Sequence, residues 1–548
     1  PGGGHLVVRP AGQFSVERRY LTDTPVLATT FTTSEGRATL YDFFAARPGP
    51  AKRRGLWPFR YLIRRLEVEE GHVRFEVSLA PRDSFGGRAL RLSPRGHRVV
   101  ASRGGRALLC ASTAPLSVEG GVVKGRLELG SGERYFITLA YTGRDLGVWP
   151  PVGDFAERAF HETVAYWRTW TGRSHIGGQT GELVKRSALT LKLLTFAPSG
   201  AVVAAPTTSL PEQIGGVRNW DYRYAWIRDA SWAVTALFDV GYAEEAKAFL
   251  FWATNAARLT QPRVHTMYGL YGNARIPERE LTHLSGYRGS RPVRVGNAAV
   301  DQLQLDNWGH LVNAAFGYAE RGGKLDQAMW SSLRSFIGFA ADHWREPDQG
   351  IWEVRGPPLH FVHSKVMCWV ALDRGVRLAR GLRLPGPVER WEQERDELKR
   401  TILDEGVDPR RGNFIRAFGD LALDAALLQI PLVGFLPGDD PRVLRTIDCI
   451  RADLGDGDLV RRYRGEDGLS GRDGAFVACS FWLAHALVLG GRVAEGTAVF
   501  EAACSRANQL GLLPEEIDPD TGGFLGNFPQ GLSHIALIHA ALAIGGRR

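Results

Sequence analysis

His360-Phe361-Val362-His363-Ser364-Lys365-Val366-Met367-Cys368-Trp369-Val370-Ala371-Leu372 begins a segment, continuing to Leu382, that is apolar nearly all round. The segment after it, Pro387 to Leu403, shows one stripe instead: Val388, Trp391, Leu398 and Ile402, with charges elsewhere. A helix without a polar face is buried and a striped one lies with its back to water, so the two read as an inner and an outer helix. The same reading applies to 229–240 with 243–258, to 299–320 with 325–344 and to 473–490 with 493–508. Within a pair the link is short, as in Val240-Gly241-Tyr242 and Gly490-Gly491-Arg492.

Between pairs the links are long and rich in Trp, Tyr, Asp, Glu and Arg. They centre on Trp226, Asn297, Glu353, Phe414, Tyr463 and Glu515, a repeat of roughly 50 to 70 residues. Six links and about twelve helices imply an all-α (α/α)6 toroid, a barrel of six helical hairpins, with every long link at one end. That end is the expected pocket.

Ahead of the helices, residues 5 to about 148 read as β-structure. His72-Val73-Arg74-Phe75-Glu76-Val77 alternates cleanly, and Gly71 and Asp83-Ser84-Phe85-Gly86-Gly87 break such runs. Many short strands with turn signals suggest an antiparallel β-sandwich. Gly147-Val148-Trp149-Pro150-Pro151 marks a boundary, giving a sandwich over 1–148 and a catalytic barrel over 149–548. The sandwich shows no catalytic cluster and is expected to be a supporting domain.

At 548 residues the chain exceeds one ordinary core, so two domains fit its length. Hydrophobic content of 44% and charged content of 23% describe a globular chain, not a disordered one. The net charge of +9 comes from scattered arginines, with no Lys/Arg block, which argues against nucleic acid as a partner. Five cysteines stand far apart without a CxxC, so neither a disulfide framework nor a metal site is expected, and a reducing, cytoplasmic setting is. The apolar runs are too short to span a bilayer, so no membrane partner is expected. His363, His485 and His534 sit in apolar helical surroundings as core histidines, and no cofactor is called for. Homo-oligomerisation is left open.

Two acidic stretches carry the chemistry. In Gly350-Ile351-Trp352-Glu353-Val354-Arg355-Gly356, Trp352 can cover Glu353 with apolar surface and raise its pKa, as a general acid needs. The plainer reading is a turn with a surface Glu and a packing Trp. In Leu513-Pro514-Glu515-Glu516-Ile517-Asp518, Glu515 suits a general base, with Glu516 competing. Glycoside hydrolysis needs such a pair: one carboxyl to assist the leaving oxygen, one carboxylate to activate water or attack carbon. The densest polar–aromatic run is Asn219-Trp220-Asp221-Tyr222-Arg223-Tyr224-Ala225-Trp226-Ile227-Arg228-Asp229. Its Arg228 and Asp229 can hold sugar hydroxyls, and Trp220, Tyr222 and Trp226 can wall a sugar, as can Trp352, with Arg355 beside them. Asp229 can equally be the N-cap of the following helix.

Taken together, Asn219-Trp220-Asp221-Tyr222-Arg223-Tyr224…Arg228-Asp229, Gly350-Ile351-Trp352-Glu353, Asp473-Gly474-Ala475-Phe476…Cys479-Ser480-Phe481-Trp482 and Pro514-Glu515-Glu516…Gly526-Asn527-Phe528-Pro529-Gln530 resemble glycoside hydrolase family 15. This is the glucoamylase family, in the bacterial and archaeal branch that includes trehalases. The resemblance implies a β-sandwich followed by an (α/α)6 barrel and an inverting mechanism. It carries the general acid onto Glu353, the general base onto Glu515, and recognition of the non-reducing glucose onto Arg228 and Asp229. Asp473 departs from the Glu usual in relatives, which also begin with a further segment, so the sandwich is expected to lack an N-terminal piece. The expected activity is release of glucose from a small α-glucoside, trehalose first, with maltose, isomaltose or longer glucans as the alternative. A phosphorylase would not need Glu515, and a silent sugar-binding scaffold would not need both glutamates.

Overall fold

The computed structural model of the chain describes residues 4–47, 60–143, 149–261, 263–465 and 467–546. The chain divides into two compact units, one ending at Arg173 and one beginning at Ser174. The boundary expected at 148 adjoins residues 144–148, which lie outside the described residues.

The first unit is an antiparallel sheet organised by one strand, Tyr61–Ala80. Its first half pairs with Gly36–Phe44 and Arg134–Thr142, so that Leu66 lies opposite Leu40 and Tyr135. The second half pairs with His5–Pro10 and Val122–Gly130, placing Phe75 opposite Pro10 and Leu127. Leu66 and Val68 from one half share a core with Val73, Phe75 and Val77 from the other. The break expected at Gly71 is instead a bend within the strand. Gly71 takes φ +69°, and a Cβ there would stand 2.1 Å from the Glu35 carbonyl oxygen, so only glycine lets the strand pass. Helix α1 (Asp154–Thr171) packs on this sheet. Its Ala156 and Ala159 join Phe43, Tyr61 and Ile63 in a core, and Glu157 Oε2 accepts from Arg65 Nε at 2.9 Å.

The second unit is helical. The expected pairs appear as α3 (Ile227–Asp239) with α4 (Ala243–Arg258), α5 (Asp306–Glu320) with α6 (Gln327–His343), and α7 (Val362–Leu382) with α8 (Val388–Glu405). A fourth pair is α11 (Val477–Leu489) with α12 (Val493–Cys504). In α8 only Trp391, Leu398 and Ile402 are fully buried, as its single stripe requires. The structure adds α2 (Gly178–Leu194), the one-turn α9 (Gln429–Leu432), α10 (Pro441–Leu454) and α13 (Gly531–Ile544). Helices α3, α5, α7, α9, α11 and α13 touch in chain order, and α13 returns to α3. Helix α2 packs on α13, α4 on α3, and α6 on both α5 and α7. No helix among the described residues is long and apolar enough to cross a membrane.

Candidate active site

The long links ahead of α3, α7, α11 and α13 bring their side chains to one pocket. Glu353 and Glu515 both line it, together with Trp220, Tyr222, Arg228, Trp352 and Arg355. Trp226 and Asp229 do not line it; they hold residues that do.

The α3 link sets the geometry. Thr208–Pro211 pairs with Asn219–Asp221, and Asp221 is tied to Arg223 and to the Gly296 N–H, so these two charges hold the loop together. Trp226 occupies the N-cap of α3, which places Asp229 inside the first turn and corrects the N-cap reading. Asp229 Oδ1 instead accepts from Arg228 Nε at 2.8 Å. Its Oδ2 is buried with no hydrogen-bond partner among the described residues. Arg228 Nη1 donates to the Ile351 carbonyl at 2.9 Å, which ties α3 to the link carrying Glu353.

Glu353 has φ +61°, a left-handed conformation that side chains rarely adopt and that structures tend to retain at functional sites. Its Oε1 accepts from Trp226 Nε1 at 2.6 Å and lies 3.9 Å from Arg228 Nη1. Burial raises its carboxyl above the usual range; the Arg228 guanidinium and the Trp226 bond oppose that without cancelling it. The indole that touches Glu353 is therefore Trp226. Trp352 donates to Asp424 Oδ1 at 2.7 Å and packs on Phe476 and Trp482. Trp220 has the Arg355 and Arg294 guanidiniums over its ring, at 4.4 and 4.7 Å.

Glu515 is 1% exposed. Its Oε1 accepts from the Tyr222 hydroxyl at 2.5 Å and its Oε2 from the Asn527 N–H at 3.2 Å. Burial pushes this carboxyl up to about 7 against the pull of Arg462, Tyr222 and Asn527. His534, a core histidine as expected, accepts from the Leu513 N–H at 3.2 Å and so steadies the loop leading to Glu515. Glu516 is absent from the pocket wall; its oxygens go to the Gly474 N–H at 2.8 Å and to Arg462 at 3.1 Å.

Sequence reasoning missed Glu212, Arg218, Arg462 and Asp467, all of which line the pocket. One signal was available. Leu-Pro-Glu occurs at 210–212 as well as at 513–515. Glu212, Asp473 and Glu516 bring carboxylate oxygens within 4.8 Å of one another, a spacing suited to a cation, and the cation among them is the Arg462 guanidinium.

Comparison with known families matches residues 178–542 to the model of glycosyl hydrolases family 15. The chain is 37% identical to a trehalase of Mycolicibacterium smegmatis, covering 99% of this chain and 85% of that one. It is 38% identical to a trehalase of Mycobacterium tuberculosis, covering 99% and 83%. Among solved structures, a bacterial glucoamylase complexed with acarbose aligns with a TM-score of 0.73 over 99% of this chain and 88% of that one. At 13% identity that likeness speaks to the fold alone.

Proposed function

The chain belongs to glycosyl hydrolases family 15 and is a glycoside hydrolase, and from that premise we propose that it cleaves α,α-trehalose to two glucose molecules with inversion. The observation that carries this reading is that Glu353 and Glu515 line one pocket, Glu353 part-buried and Glu515 buried, each held by an aromatic donor. Glu353, its carboxyl raised by burial, protonates the leaving oxygen, and Glu515 activates water. Arg228, which lines the pocket, grips the first glucose, and Asp229 behind it serves that recognition by holding the guanidinium in place. Trp220, Tyr222, Trp226 and Trp352 form or back the walls, and Arg355 lines the pocket over the Trp220 ring, where it can contact substrate. The relatives named trehalase support trehalose as substrate, and a glucoamylase-type hydrolase of maltose, isomaltose or α-glucans is the alternative.

The architecture we read is a supporting β-sandwich and a catalytic (α/α)6 toroid. The core shared by both halves of the sheet supports the first, and the return of α13 onto α3 supports the second. We place the enzyme in the cytoplasm, a reading supported by five free cysteines.

A panel of trehalose, maltose, isomaltose and soluble starch, read as glucose release, tests the substrate. Proton NMR in the first minutes of trehalose turnover tests the stereochemistry: inversion yields one β- and one α-glucose. Release of only α-glucose would overturn both inversion and the role of Glu515.

A further inference from the structure

Both Leu-Pro-Glu glutamates, Glu212 and Glu515, line the same pocket, and they are 2% and 1% exposed. Arg462 Nη2 stands 3.1 Å from Glu212 Oε2, 2.7 Å from Asp473 Oδ2 and 3.1 Å from Glu516 Oε1. Arg218 is held by Asp467 at 2.7 and 2.8 Å and by Asp473 Oδ1 at 2.9 Å.

These charges do not balance. Five carboxyls, Glu212, Asp467, Asp473, Glu515 and Glu516, share two guanidiniums in a buried space. Uncompensated buried charge is costly enough that carboxyls keep protons instead. Asp467 is the best satisfied, with Arg218 on both oxygens, the Tyr463 hydroxyl at 2.7 Å and the Leu469 N–H at 3.0 Å. Asp473 bridges both arginines, and Glu515 has Tyr222 and Asn527. Glu516 has the Gly474 N–H and a share of Arg462, whereas Glu212 has only its share of Arg462 among the described residues.

We propose that Glu212 is a further positioning residue of the hydrolytic centre: it remains a neutral carboxylic acid beside Glu515, so that Glu515 carries the negative charge a general base needs. The proposal rests on Glu515 being that base. An ionised Glu212 would hold Glu515 protonated and idle by like-charge repulsion. The charged and titratable groups that face Glu212 are Arg462, Glu515, Asp473 and Arg218, with Glu516 and Tyr222 alongside. Burial raises both carboxyls, Glu212 to about 8 and Glu515 to about 7, and of the two Glu515 has the more donors to favour its charged form.

The test is the pH profile of kcat/KM on trehalose for wild type, Glu212→Gln and Glu212→Ala, with carbon NMR of the glutamate carboxyls. The amide is a neutral donor of the same shape, so Glu212→Gln should keep kcat/KM within about threefold and leave the acidic limb in place. Glu212→Ala should lose about a hundredfold, because Arg462 then loses one of its three partners and is drawn toward Glu515. The wild-type spectrum at neutral pH should contain a protonated glutamate carboxyl that Glu212→Gln lacks. An acidic limb lowered by about one pH unit in Glu212→Gln would mean that Glu212 is ionised, and would overturn the proposal. So would wild-type activity in Glu212→Ala, or a folded Glu212→Gln as inactive as Glu212→Ala. If neither variant folds, the wild-type carboxyl spectrum decides, since fully ionised glutamates at neutral pH overturn the idea. If wild type hydrolyses no α-glucoside, the parent reading falls while the same spectrum still reports on the proton of Glu212.

Discussion

Trp226 donates its indole N–H to Glu353 Oε1 at 2.6 Å across a sequence separation of 127, while Trp352, the immediate neighbour of Glu353, donates to Asp424 at 2.7 Å. Glu353 is thus tuned by a residue on the α3 link. A bond donated to a carboxylate favours its charged form, so this contact keeps the pKa of Glu353 from rising further. Trp226→Phe removes the donor and raises that pKa. The alkaline limb of kcat/KM should move to higher pH, with kcat lowered about tenfold through lost alignment. An alkaline limb that stays in place would show that Glu353 does not set it.

Glu353→Gln removes the proposed proton donor at nearly constant shape. Activity on the natural glucoside should fall by about three orders of magnitude or more with the fold intact. A substrate with a good leaving group, which needs little protonation, should be spared in part. Near wild-type hydrolysis of the natural substrate would exclude Glu353 as the acid.

Because Trp226 occupies the N-cap, Asp229→Asn leaves helix initiation alone. Asn still offers Arg228 an acceptor, so the stability loss should stay near ~1 kcal/mol. The charge that holds Arg228 toward the pocket is gone, and kcat/KM should drop about a thousandfold. A large fall in Tm with unchanged kcat/KM would make the pair structural.

Gly526 sits against Glu515. Its φ is +71°, and a Cβ there would lie 2.3 Å from Glu515 Oε2. Gly526→Ala should lose about a hundredfold in kcat by displacing that carboxylate. Gly522, with φ +69° and nothing within 4 Å, is the control: Gly522→Ala should cost only about 1 kcal/mol of stability. Equal kinetics in the two variants would show that the close approach is not needed.

The buried titratable groups also set a pH window for stability. Burial lowers His363 to about 4 and His485 and His534 to about 3, so the unfolded chain binds more protons as pH falls below the ordinary histidine value, and stability falls with it. Burial raises Glu212 to about 8, and Glu515 and Asp348 to about 7, so the folded chain holds protons that the unfolded chain releases above the ordinary carboxyl range. Stability therefore also declines as pH climbs toward those values. Calorimetry across pH should place the highest Tm between about pH 4.5 and 6. A Tm still rising between pH 6 and 8 would contradict the buried, protonated carboxyls.

Much of this was legible in the residues themselves. The all-round apolar α7 and striped α8 declare themselves because side-chain periodicity is a local property of a helix. The two glutamates were likewise marked by their neighbours: Pro514 ahead of Glu515, and Trp352 beside Glu353. Other elements left no periodic trace. Helix α9 is one turn containing Pro431, and α13, buried along nearly its whole length, lacks the polar face that dates a boundary. Gly71 looked like a strand end because a glycine's φ is invisible in sequence; the carbonyl of Glu35 beside it decided that the strand continues.

The site shows the same division more sharply. Residue type and order determined which groups have catalytic chemistry to offer, since a carboxyl, an indole and a guanidinium are what they are in any fold. Which indole reaches Glu353, which of Glu515 and Glu516 faces the pocket, and that Arg462 is shared among three carboxyl groups were decided only by tertiary structure. Hydrogen bonds and charge–charge interactions act over a few ångströms in space. The folded links bring Glu212 and Glu515 to one pocket wall from positions 303 apart in the chain (515 less 212), a nearness that no local pattern encodes.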